Sequence, residues 1–93
     1  MISRQKIEEK LWQCQKETYG KIDEKEYRNY TWAFQALTWY INTGRASPAW
    51  IDAWMKANPV SLMRGAAKHS GSTTGCIDFI SRYLSRYYGY RVN

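Results

Sequence analysis

The segment from Asp23 to Gly44 constrains this chain more than any other. Within it, Tyr27, Tyr30, Phe34, Leu37 and Ile41 recur at helical spacing and form one apolar stripe. Trp32, Ala36, Trp39 and Tyr40 widen it into a second. A helix that is apolar around most of its circumference needs other helices on most sides. Asp23 followed three residues later by Glu26 is a capping-box-like start, and Gly44 supplies the stop. The expected fold is all-α: a compact bundle of four to five helices with a central, nearly all-round apolar second helix.

The flanking sequence supplies the remaining helices. Ser3 is placed to cap a first helix to about Thr18, with Ile7, Leu11, Cys14 and Thr18 on one stripe and Lys6, Glu9, Lys10, Lys16 and Glu17 opposite. Gly20 offers its end. Ser47-Pro48 and Asn58-Pro59 each read as an N-cap followed by proline at the first helical position. They predict a short helix through Trp50 and Trp54 and another from Pro59 to about Lys68. The HSGSTTG stretch, His69 to Gly75, is a connection. Thr73 or Thr74 is expected to cap the last helix, which carries Cys76, Ile77, Ile80, Tyr83, Leu84 and Tyr87 and ends at Gly89. No alternating β-branched run suggests a strand. Residues 1–93 read as a single helical domain with a short tail over 89–93.

Charge and aromatic content then bear on function. The formal net charge is +6, and it is unevenly placed. Residues 1–47 hold eight Lys/Arg against six Asp/Glu, whereas 48–93 hold six against Asp52 and Asp78 alone. A basic end favours an anionic partner. Five Trp, eight Tyr and two Phe are more than a core of this size can hold, so some must face outward. Tyr, Trp and Arg are the residues enriched at interface hot spots.

The sequence offers little for catalysis. His69 is the one histidine and has no local Cys or Asp to organise it. Two cysteines, Cys14 and Cys76, are too few for a disulfide scaffold, show no metal-binding spacing, and read as buried on helix faces in a reducing compartment. No enzyme activity, metal or cofactor is expected. The opening decapeptide is charged and lacks a signal-peptide core, and no segment is long and apolar enough to span a membrane, so the expected setting is cytoplasmic. The Asn29-Tyr30-Thr31 sequon reads as a chance match.

The strongest surface signal is the interleaving of Arg and Tyr near the C-terminus. Arg82 and Arg86 share a helix face, Tyr83 and Tyr87 turn partly inward, and Tyr88, Tyr90 and Arg91 are expected outside. Arg82, Arg86, Tyr88, Tyr90 and Arg91, with Arg64 and Lys68 across the HSGSTTG turn, form the candidate partner-binding face. Trp50 and Trp54 form a secondary candidate face. The expected function is non-enzymatic. The chain would dock on a larger, nucleic-acid-processing protein or protein–nucleic-acid complex through an acidic surface, and modulate or inhibit it. The alternative is direct nucleic-acid binding, as a helix-turn-helix-like unit over 63–82 or as a backbone binder; in the former, Thr73, Thr74 and Asp78 would face the bases. A homodimer is a further way to consume surplus Trp.

Overall fold

The computed structural model describes residues 2–19 and 23–91, and these form five α-helices and no strand. They are α1 (Arg4–Tyr19), α2 (Glu24–Asn42), α3 (Pro48–Lys56), α4 (Pro59–Ala67) and α5 (Thr73–Tyr87). Gly20, expected to end α1, and the Thr18 side chain on its stripe lie outside the described residues. So do the last two residues of the tail.

Each start follows from a local hydrogen bond. Ser3 Oγ accepts from the Lys6 N–H at 3.3 Å, and Asp23 Oδ1 accepts from Glu26 N–H at 2.8 Å. Ser47 and Asn58 cap α3 and α4 ahead of their prolines. At α5 the cap is Ser72, not Thr73 or Thr74. Its Oγ accepts from the Gly75 N–H at 3.0 Å, which places both threonines inside the first turn.

The end of α2 is equally specific. Gly44 takes φ +75°, its N–H bonds to Ile41 O, and the Arg45 N–H returns to Tyr40 O at 3.2 Å. This is a Schellman closure, and it folds Arg45 back over the last turn of α2. Gly89 does comparable work after α5. With φ +74° it reverses the chain so that the Tyr90 N–H bonds to Leu84 O.

The helices pack around a core built from all five. The nine-residue α4 touches α1, α2 and α5, and buries Pro59, Leu62, Met63, Ala66 and Ala67. The middle of the bundle is therefore shared between α2 and α4. Gly65 makes the α4–α5 approach close: a Cβ there would fall 2.1 Å from the Phe79 ring. On α1, Ile7, Leu11 and Cys14 are buried as expected, and Lys10 joins them at 8% exposure. Lys10 was expected on the charged side. It lies three residues after Ile7 and four before Cys14, on the core stripe, and its Nζ donates to Ala57 O at the end of α3 (2.6 Å). Burial lowers its pKa.

Trp50 and Trp54 are completely buried, which removes them as a candidate face. Their spacing on α3 matches that of a core stripe, and their rings stack on each other at 6.5 Å, with Tyr40 tilted against Trp50 at 5.1 Å. The Trp50 indole N–H donates to Ser81 Oγ at 3.0 Å, tying α3 to α5. Conversely, the second stripe of α2 is not all interior. Ala36 is buried and Tyr40 half-buried, but Trp32 and Trp39 are 36% and 44% exposed. Apolar spacing locates a face without saying whether a neighbour covers it.

Candidate functional site

α5 separates two aromatic surfaces. Cys76, Ile77, Ile80 and Leu84 point into the core, which leaves one flank toward α4 and another toward α2.

On the α4 flank the rings form a ladder. His69 lies 5.5 Å from Phe79, Phe79 6.1 Å from Tyr83, and Tyr83 4.9 Å from Tyr87 and 6.0 Å from Tyr88. Burial raises the Tyr83 pKa, Tyr88 and Tyr87 add to this, and a hydrogen bond with Ser61 works against it. Tyr87 is 59% exposed, and the Arg86 guanidinium stands 5.4 Å from its ring centroid. Arg82 and Arg91 are exposed as well. The structure thus brings Arg86 and Tyr87 together as the exposed centre of this flank.

Four sequence expectations change. Tyr88 is half-buried and accepts a hydrogen bond from the Asn58 N–H through its hydroxyl (3.2 Å). Tyr90 is half-buried on the opposite flank, carried there by the reversal at Gly89. Tyr87, expected partly inward, is the more exposed tyrosine. Arg64 and Lys68 line a separate groove between α2 and α4 beside Asn29, where Arg64 pairs with Glu26 at 3.2 Å.

On the α2 flank lies a cleft of about 740 Å³. Trp32, Trp39 and Tyr40 line its α2 side, Thr74, Asp78 and Ser81 its α5 side, and Arg45 and Tyr90 also contribute. Its volume falls within the range of ligand-binding pockets. The Arg45 guanidinium lies 4.5 Å from the Trp39 ring centroid, held there by the Schellman closure. Burial raises the Tyr40 pKa, and nearby Tyr90 and Asp78 add to this. Sequence reasoning missed this site by assigning Trp32 and Trp39 to the core. The available signal was Arg28, Trp32, Gln35 and Trp39 at i, i+4, i+7 and i+11, a single stripe whose polar members mark it as solvent-facing. Trp12, 68% exposed on α1, was also missed, although the Ile7–Leu11–Cys14 stripe leaves it on the opposite side.

The chemistry-bearing groups elsewhere are engaged in packing. Both cysteines are buried. The Cys76 thiol donates to Ala66 O and His69 O at the end of α4 (3.4 and 3.5 Å), and burial raises its pKa. Burial pushes the Cys14 thiol up to about 11. Among the described residues, no three His, Cys, Asp or Glu side chains gather as a metal site, and no helix is long and apolar enough to cross a membrane.

Fold and surface together define a small all-α bundle with arginine-flanked aromatic faces. No family model, curated protein or solved structure matches the chain.

Proposed function

We propose that this chain is a non-enzymatic binding protein that docks on a larger protein, one with an acidic surface such as a nucleic-acid-processing machine presents, and modulates it. The observation that carries the reading is the pairing of exposed aromatic rings with arginines on both flanks of α5: Arg86 with Tyr87, and Arg45 with Trp39. Such pairs combine large apolar area with a charge that reads carboxylates, the composition of protein hot spots. A cytoplasmic setting fits a chain whose two cysteines are buried on helix faces.

The test is capture from a lysate of the cells that express the chain, with and without nuclease, followed by reconstitution from the purified captured protein. A complex that survives nuclease and is weakened by Arg82→Glu/Arg86→Glu/Arg91→Glu supports docking through the α4 flank. A complex lost with nuclease overturns the proposal in favour of direct nucleic-acid binding. That second reading draws on Arg64, Lys68, Arg82, Arg86 and Arg91, but Glu26 already engages Arg64. In its helix-turn-helix form, Thr74 and Asp78 would have to face bases, whereas they line a cleft beside Trp32 and Trp39.

A further inference from the structure

Trp32 and Trp39 stand seven residues apart on α2, so their rings mark two positions about 10.5 Å apart along the helix axis. Arg28 precedes them on the same exposed stripe and Arg45 follows. Neither arginine forms an ion pair among the described residues, where Arg4–Glu8, Lys56–Asp52 and Arg64–Glu26 are the pairs present. Cations thus bracket two apolar platforms, and a guanidinium set over a ring, as Arg45 is over Trp39, can still give two parallel hydrogen bonds from its edge. On the α5 side the hydroxyls of Thr74 and Ser81 and the Asp78 carboxylate face the same space.

Resting on the reading of the chain as a protein binder, we infer that the α2–α5 cleft receives a short acidic segment of the partner protein, with apolar side chains on Trp32 and Trp39 and a carboxylate on Arg45. Charge complementarity selects this occupant. A basic segment would meet Arg45 in the cleft and, one helical turn before Trp32 and outside the cleft's lining, Arg28 on the same exposed stripe. A nucleic-acid strand would carry a phosphate at every nucleotide past Asp78, a carboxylate in no ion pair among the described residues. A peptide places its charges sparsely and offers backbone N–H groups to Asp78 and carbonyls to the hydroxyls.

The experiment is selection of short random peptides displayed on phage against the whole chain, with the Trp32→Ala/Trp39→Ala double variant and Arg45→Glu as counter-targets. All three positions are exposed, and circular dichroism checks that each variant is folded. The expected outcome is a set of peptides rich in Asp or Glu with aromatic or aliphatic residues. Their affinity should fall about tenfold or more for either variant, as for loss of a hot-spot side chain. Selected peptides that are basic or uncharged overturn the inference. So do peptides that bind the variants as tightly as the parent, although binding through another face leaves the protein-binding reading standing. A chain that selects no peptide but binds a random single-stranded oligonucleotide overturns both.

Discussion

Trp54 buries its indole N–H with no acceptor among the described residues, whereas Trp50, one helical turn earlier, donates to Ser81. The two substitutions to phenylalanine should therefore differ. Each removes packed volume, but Trp50→Phe also breaks a hydrogen bond, while Trp54→Phe removes a polar group already paying for burial. Trp50→Phe should be the more destabilising by about 1 kcal/mol in denaturant titration; equal losses would mean that the Trp54 N–H has a partner after all. The acidic groups give a second expectation at this scale. Cys14, Cys76, Tyr40 and Tyr83 all have raised pKa values through burial, so the folded chain keeps protons that the unfolded chain releases. Their contribution is fully present below the unfolded values, 9.0 for the thiols and 10.0 for the phenols, and is lost as pH rises above them. Lys10, with its pKa lowered from 10.5, acts in the opposite direction and offsets part of the loss. Unfolding midpoints should fall from about pH 9 upward, Cys14 alone accounting for roughly 2 kcal/mol of the loss by pH 11. A flat profile to pH 11 would contradict the burial of these groups.

At the scale of elements, helix boundaries were legible because they are local. Ser47-Pro48, Asn58-Pro59, Asp23 and Gly44 each act within a few residues, and the chain meets them as read. Ser72 was the exception. Three hydroxyl residues in a row offer competing caps, and the outcome turns on which one reaches an N–H three residues on. Ser72→Ala should cost about 1 kcal/mol, Thr74→Ala less. Two glycines have larger roles. Gly65→Ala gains helix propensity but drives a methyl into a Phe79 ring braced by His69 and Tyr83. Net destabilisation of about 1–3 kcal/mol is expected by thermal melting, relieved when Phe79 is also made Leu. Gly44→Ala should cost about 1–2 kcal/mol through its positive φ. It should also weaken the selected peptides, because the same turn positions Arg45. A stability loss with unchanged peptide affinity would separate the turn from the cleft.

At the scale of the whole molecule, the bundle followed from periodicity, yet the distribution of aromatics between core and surface did not. Trp32 and Trp39, seven residues apart, share one helix face just as Trp50 and Trp54, four apart, do. Only the path of neighbouring helices decides that α3 is covered by its surroundings while one side of α2 faces an open cleft. Arg82 and Arg86 were legible as exposed on one helix face because i, i+4 geometry is local, whereas Tyr87 was expected partly inward and Tyr90 depended on a chain reversal that carries it across α5. The resulting molecule has sparse, arginine-bracketed aromatic faces in place of a continuous basic track. That difference is measurable as the salt dependence of binding. Five phosphate contacts, from Arg64, Lys68, Arg82, Arg86 and Arg91, would give a log–log slope of about −4.5 on duplex DNA. The most direct test is a titration of this chain against its purified partner, nuclease-treated, across about 0.05–0.3 M salt. A saturable complex with a much shallower slope is expected. A complex that forms only with nucleic acid present and weakens with that steep slope would contradict it.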